Sequence, residues 1–255
     1  MGEIVRYKSD VWGEEVILGV SWDLLWVVAV AVLILLAAHA IVMATLANKN
    51  LDRPTAEGRR VVRHESVDRA FHWLMAASIF ALIFTGTAPI IGLRIAWLDI
   101  HWISGLILTF LIVAHIIRSM FWQDFKSMLL TPKDFTEPFD STSKPGKYYF
   151  EQKGLHWAAT VVVLAVIVTG VLMFMQIDSP FWDRTNSMPE DQLGLVFLLH
   201  GLSTLALVAL ASTHIYFALR PEKIFYTRSM IAGWMSEDEL AANHDPAKWT
   251  PKEAE

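Results

Sequence analysis

The chain has 255 residues, 54% of them apolar and only 18% charged, with a net charge of −5 and no cysteine; its mean hydropathy is +0.40. Soluble domains carry about a quarter charged residues, so the deficit points to lipid as the solvent. The absence of cysteine excludes iron–sulfur clusters, C-x-x-C-H haem attachment, thiolate metal sites and disulfides, and no nucleic-acid partner is expected.

Five stretches contain no Asp, Glu, Lys or Arg: Leu24–Asn48, Ala70–Leu93, Ile100–Ile117, Gly154–Ile177 and Gln192–Leu219. Spanning a bilayer core takes about 20 apolar residues at about 1.5 Å each, with about 17 as the lower limit. All five stretches meet this, and five buried helices in a soluble chain of this size would leave too little polar surface to cover them. The predicted architecture is therefore an all-α, polytopic membrane helix bundle with five transmembrane helices.

In chain order, residues 1–23 form a polar N-terminal segment. Helices follow over 24–47, 68–91, 99–119, 155–177 and 194–219. Ala38-His39-Ala40 resembles a signal-peptidase site, but Glu3, Asp10, Glu14, Glu15 and Asp23 precede it against only Arg6 and Lys8. A secretory signal has a basic start, so the first helix is expected to be retained. The loop Thr131–Gly146, rich in Pro, Asp, Ser and Thr, is expected to be irregular. After the last span, Ser236-Glu237-Asp238-Glu239 reads as a capping box opening a short interfacial helix, which Asn243-His244-Asp245-Pro246 ends.

Lys and Arg mark the cytoplasmic side of a span. Asn48–His64, the loop Arg118–Lys153 and Arg220, Lys223 and Arg228 after the last helix together carry 14 basic residues, whereas the opposite side has Arg6, Lys8, Arg94 and Arg184. The expected topology places the N-terminus in the periplasm and the C-terminus in the cytoplasm of a bacterial inner membrane.

Seven of the nine histidines lie in or beside the spans: His39, His72, His101, His115, His156, His200 and His214. A polar group in hydrocarbon is costly and tends to be functional, although any one of them could be a structural hydrogen-bond donor. His200 and His214 are 14 residues apart, which places them on one face of a helix about 21 Å apart along its axis. That spacing suits two redox groups, one near each membrane surface. His101 matches His200 in depth. For His214 the mates by depth are His72, His115 and His156; His101 and His115 are also 14 apart, so spacing does not choose among them. A colourless proton relay in a transporter or channel is the alternative of another class.

Val67-Asp68-Arg69-Ala70-Phe71-His72-Trp73 resembles the R-x-x-H-W opening of the di-haem cytochrome b (gamma) subunit of membrane-bound formate dehydrogenases, which is related to the cytochrome b subunit of nickel–iron hydrogenases. The likeness continues through Ile100-His101, Gly105, Arg118, Gly146-Lys147-Tyr148 and Gln152-Lys153. It ends with Leu199-His200-Gly201, His214-Ile215-Tyr216, His244-Asp245-Pro246 and Trp249. It implies a four-helix di-haem core over 48–220, with 24–47 an extra helix, 1–23 periplasmic and 221–255 a cytoplasmic tail. His72 and His214 would be axial ligands of an inner haem b, and His101 and His200 of an outer one. Arg69 and Arg118, near the inner surface, are candidates to pair haem propionates, with a role as positive-inside anchors the alternative.

The resemblance also implies a role. The chain would be the membrane anchor of a respiratory complex, passing electrons from a periplasmic iron–sulfur subunit, itself served by a molybdenum or tungsten catalytic subunit, through two haems to menaquinone or ubiquinone near the cytoplasmic side. It would be the quinone-reducing subunit without acting on the primary substrate. Hydrogenase or other molybdenum-enzyme partners are the nearest alternatives. The quinone site is expected where the fourth helix enters the membrane, with Tyr149, Gln152 and Lys153 as donors and His156 as a proton relay. Three features depart from the family: the extra helix, His115 where an apolar residue is usual, and Tyr149 in place of an asparagine. His39 and the glycines Gly86, Gly105, Gly170 and Gly201 fit either helix packing or, for the glycines, close approach of a porphyrin.

Overall fold

The structure is a computed structural model that describes residues 4–46, 56, 58–140 and 143–253. Lys49 and Arg53, counted above for topology, lie outside the described residues. The fold is mostly helical, with five helices long and apolar enough to cross a membrane: α1 (Asp23–Leu46), α2 (Ser66–Thr87), α3 (Trp97–Phe121), α4 (Phe150–Phe174) and α5 (Glu190–Ala218). They match the five predicted spans to within a few residues at each end. Helices suit lipid because every backbone polar group is satisfied within the segment. Pro89 follows α2 and Pro189 precedes α5, each where a missing N–H does no harm.

Among the described residues, two short sheets accompany the helices. β1 (Val5–Ser9) and β2 (Glu15–Val20) form an antiparallel hairpin, while β3 (Arg60–Val62) pairs antiparallel with β4 (Trp234–Ser236). Neither pattern is long enough to register as a strand against the helical background. The chain divides into two compact units, residues 1–40, 78–109 and 158–213 in one and 41–77, 110–157 and 214–255 in the other.

In the first unit, Leu82, Leu108, Val163, Val166, Phe174, Val196, Leu205 and Leu207 are buried, and Trp102 stacks on Phe174 with ring centres 5.2 Å apart. The β1–β2 hairpin lies on the start of α5. A Cβ at Gly201 would come within 2.7 Å of the Val20 side chain, so this glycine serves the packing of strand on helix. Outward-facing Leu33, Leu35, Phe110 and Val161 in the two units are exposed, as lipid-facing side chains are.

The second unit adds a folded tail. Beyond α5 come α6 (Ile224–Ala232), β4 and α7 (Glu237–Asn243). The capping box at Ser236 is present: its hydroxyl accepts from the Glu239 N–H at 3.1 Å, and the Glu239 carboxylate accepts from the Ser236 N–H at 2.9 Å. Among its described residues, the loop before α4 forms 3-10 turns at Phe125–Met128, Pro132–Phe135 and Glu137–Phe139. Buried Asp134 in that loop accepts from the Lys153 ammonium at 2.6 Å. Burial would raise its pKa, but the bonds from Lys153 and Thr131 outweigh burial and hold the carboxyl below its ordinary value.

Arg63 and His244, both fully enclosed, lock the tail to the chain before α2. Arg63 Nη1 donates to His244 Nε2 at 2.9 Å and Nη2 donates to the Lys147 carbonyl at 3.1 Å, while His244 Nδ1 donates to the Gly146 carbonyl at 2.6 Å. The guanidinium lies over the rings of Tyr226, Trp249 and Tyr148. Burial, reinforced by Arg63, pushes His244 down to about 4, and the same two causes push His64 down to about 3. Both are therefore neutral when folded, whereas a released tail takes up protons below about pH 6.5. Tail docking is expected to be complete above that pH and to weaken steadily towards pH 4, by on the order of 3 kcal/mol for His244. Trypsin cleavage after Arg228 or Lys248, followed against pH, checks this. The change His244→Gln, which keeps a donor and an acceptor but cannot titrate, should remove at least half of the slope.

Candidate functional site

The long helices bring six of the histidines into three facing pairs. In the first unit His101 of α3 faces His200 of α5, ring centres 6.3 Å apart and planes at 67°. In the second, His72 of α2 faces His214 of α5 at 6.2 Å and 63°, and His115 of α3 faces His156 of α4 at 6.5 Å and 65°. Of the three candidate mates for His214, His72 is the one whose ring stands opposite it. Two iron–nitrogen bonds of about 2 Å plus two imidazole radii put the ring centres of an axial pair about 6 Å apart. The four histidines singled out as haem ligands thus have the spacing that a bis-imidazole haem requires.

Ligation needs a lone pair on one ring nitrogen, and the first pair is set to provide it. His101 Nδ1 lies 2.9 Å from the Thr85 hydroxyl oxygen, and that hydroxyl donates its own hydrogen to the Ala81 carbonyl at 2.6 Å. The Thr85 oxygen must then accept from His101, which fixes the proton on Nδ1 and leaves the lone pair on Nε2. Thr169 does the same for His200, at 2.9 Å, with its hydrogen on the Ala165 carbonyl at 2.6 Å. Beside each threonine stands a glycine, Gly86 or Gly170, where a Cβ would be in ordinary contact, 3.5 Å from the ring carbon Cε1 of His101 or His200. From sequence these threonines show only as a short echo, Phe84-Thr85-Gly86 against Val168-Thr169-Gly170, which close helix packing at small residues explains equally well.

Of the two arginines, Arg118 is committed to Asp68, at 2.7 Å and 3.2 Å, with Gln123 adding a third bond to the same carboxylate oxygen. Arg69 donates Nη1 to the Ile231 carbonyl at 2.5 Å, but its Nε is buried with no hydrogen bond. It borders a cavity of about 250 Å³ with His64, Glu65 and Trp234. An orphaned guanidinium N–H beside a cavity fits an anionic group better than an empty space would.

At the entry of α4, Tyr149 donates its hydroxyl to the Asn243 carbonyl at 2.8 Å, and its N–H donates to Gln152 Oε1 at 3.1 Å. Burial raises the Tyr149 pKa, and Lys223, whose own pKa burial lowers, stands over its ring at 4.7 Å. Lys153 spends its ammonium on Asp134 and on the Leu129 carbonyl at 3.2 Å. His156 faces His115 one turn further into the helix.

A bundle of membrane-spanning helices that presents opposed, tautomer-fixed imidazoles at metal-bonding distance defines a b-type cytochrome, an integral membrane protein of electron transfer. The prokaryotic cytochrome b561 family matches residues 63–233, and the chain belongs to that family, which implies haem b. The chain is 26% identical over 212 residues to the formate dehydrogenase cytochrome b556 subunit of Haemophilus influenzae, covering 76% of this chain and 84% of that protein. It is 30% identical over 116 residues to the formate dehydrogenase cytochrome b556(fdo) subunit of Escherichia coli K12, covering 43% of this chain and 51% of that protein. It thus spans about half the length of the latter.

Replacing Thr85 or Thr169 by Val keeps the shape and removes the acceptor that orients a ligand imidazole. Such outer contacts are worth about 10- to 100-fold in metal affinity, so each variant should release haem from the His101–His200 pair that much more readily. Haem retention through gel filtration, read spectroscopically, tests this; unchanged retention in both variants would remove the role assigned to the threonines.

Proposed function

We propose that the chain is the membrane anchor and quinone-reducing subunit of a formate dehydrogenase-type respiratory complex. The observation that carries this reading is the pair of facing imidazoles at 6.3 Å and 6.2 Å on helices inside the family match. His101 and His200 hold an outer haem b, and His72 and His214 an inner one. Bound haems supply one-electron transfer between a periplasmic iron–sulfur subunit, fed by a molybdenum or tungsten catalytic subunit, and menaquinone or ubiquinone on the cytoplasmic side.

The chain's own residues do the rest. Thr85 and Thr169 keep the ligand nitrogens unprotonated, and Arg69 offers its unpaired N–H to a propionate, with Arg118 tied to Asp68 nearby. The segment from Tyr149 to His156 binds the quinone. Gln152 has its carbonyl occupied by the Tyr149 N–H, which turns its amide N–H2 towards a quinone carbonyl. Lys153 and Tyr149 hold the helix entry in place, and His156 bounds the segment on its membrane side. In this reading residues 48–220 are the di-haem core, 24–47 an added span, 1–23 periplasmic and 221–255 cytoplasmic. The excess of basic residues on the cytoplasmic side, against Arg6, Lys8, Arg94 and Arg184 on the other, supports that orientation.

Alanine at His101 or His200 should remove one haem per chain by pyridine haemochrome assay, and alanine at His72 or His214 a different one with its own midpoint potential. If no single change lowers the haem content, the four-ligand assignment fails. Gln152→Leu should retain wild-type haem yet slow quinone reduction at least tenfold; full turnover would place the quinone elsewhere.

The topology makes a separate forecast. Reporter fusions after residues 23, 55, 140, 185 and 235 should read periplasm, cytoplasm, cytoplasm, periplasm, cytoplasm. Two contrary readings would reverse the side to which each haem is assigned.

A further inference from the structure

The helices α2–α3 and α4–α5 are two copies of one unit. Arg69, His72-Trp73 and Thr85-Gly86 of α2 recur on α4 as Lys153, His156-Trp157 and Thr169-Gly170, all at the same separation in sequence. His101, Ser104 and His115 of α3 recur on α5 as His200, Ser203 and His214, again at one separation. The contacts recur with the residues. Trp73 Nε1 donates to the Met230 carbonyl at 3.2 Å and Trp157 Nε1 to the Met128 carbonyl at 3.0 Å. Arg69 donates to the next carbonyl, Ile231, and Lys153 likewise to Leu129. The Thr85–His101 and Thr169–His200 bonds are both 2.9 Å. His72 meets Trp73 and His156 meets Trp157 edge-on at the same 82°.

Exchange of the two copies has a definite consequence for the histidine pairs. His101 and His200 change places, so their pair maps onto itself. His72 becomes His156 and His214 becomes His115, so the pair His72–His214 maps onto His156–His115. That mapped pair is present, with ring centres 6.5 Å apart and planes at 65°, against 6.2 Å and 63° for the first. Hydrogen-bonded imidazoles bring their nitrogens to about 3 Å and their ring centres to about 5 Å, so this pair is too wide for a direct bond. It is wide enough for a metal between the rings. The Nδ1 of His115 is buried with no hydrogen bond, an uncompensated polar atom in an apolar span.

We propose that His115 and His156 are the axial ligands of a third haem b, related to the His72–His214 site by the internal duplication. This rests on the reading of the other two pairs as haem sites, and it replaces a proton-relay role for His156, because one of its nitrogens is taken by iron. A third redox group held by α4 would stand on the helix whose first turn carries the proposed quinone segment.

The test is haem stoichiometry on the full chain, purified from a haem-sufficient host. The wild type should give three haems b per chain by pyridine haemochrome against quantitative amino-acid analysis, with three low-spin ferric signals by electron paramagnetic resonance. His115→Ala, His156→Ala and the double change should each give two, a loss of one third, because all three destroy the same site. Three haems in the wild type with none lost from either variant would overturn the assignment of these ligands. Two in the wild type, one of them lost with His72 or His200, would overturn the third site and leave the proposed function standing. No haem lost from any histidine variant would overturn both. Should the variants fail to fold, the wild-type count of two or three decides alone.

Discussion

An imidazole placed in hydrocarbon has two nitrogens to account for, and water is not there to help. One must carry the proton and find an acceptor, while the other must find a donor or a metal. For His101 and His200 the first requirement is met by a threonine hydroxyl whose own hydrogen is already spent on its helix backbone, at 2.6 Å in each case. With the proton so placed, the other nitrogen keeps its lone pair, and the opposite ring stands at the spacing of an interposed metal. Much of the bundle follows from that constraint. Glycines stand beside the rings, and the five long spans are helical because a helix satisfies its own backbone polar groups within the segment.

The spans were legible because charge exclusion is a coarse signal repeated over some twenty residues. His72, His101, His200 and His214 were legible because a polar residue in such a run stands out against it. Their pairing was only half legible. Spacing left His72, His115 and His156 equivalent as mates for His214, and only the resemblance around Arg69 and His72-Trp73 chose among them. Thr85 and Thr169 were passed over because threonine in an apolar helix reads as a small residue that bonds its own backbone. They do so, and the same bond is what turns each oxygen into an acceptor. The hairpin at Val5–Val20 and the β3–β4 pair escaped because strands this short carry no periodicity of their own.

The tail follows a different logic. Residues that read as positive-inside markers, Arg63 above all, are structural inside the second unit: Arg63 is 3% exposed and joins His244, the Lys147 carbonyl and three aromatic rings. A buried guanidinium needs partners for its donors; Nη1 and Nη2 find theirs here while Nε stays buried with no hydrogen bond, and the partners come from stretches far apart in sequence. The clamp therefore ties the entry of α2, the loop before α4 and the tail after α5 to one another. It explains why Gly146-Lys147-Tyr148 and His244-Asp245-Pro246 occur together: the first supplies the carbonyls that the second and Arg63 require.

The duplication sharpens what differs between the copies. Asp68 and Arg118 of the first copy form a charged pair at 2.7 Å, but the equivalent positions in the second copy hold Gln152 and Phe217. Arg69 keeps an unpaired Nε, whereas its counterpart Lys153 is neutralised by Asp134. The related histidine pairs thus share ligand geometry while lying in different fields. A charge in a medium of low dielectric acts strongly on its neighbours, so identical cofactors in the two places would differ in potential without any change of ligand. Geometry is the part that the two halves share, and the charged residues around it are the part in which they differ.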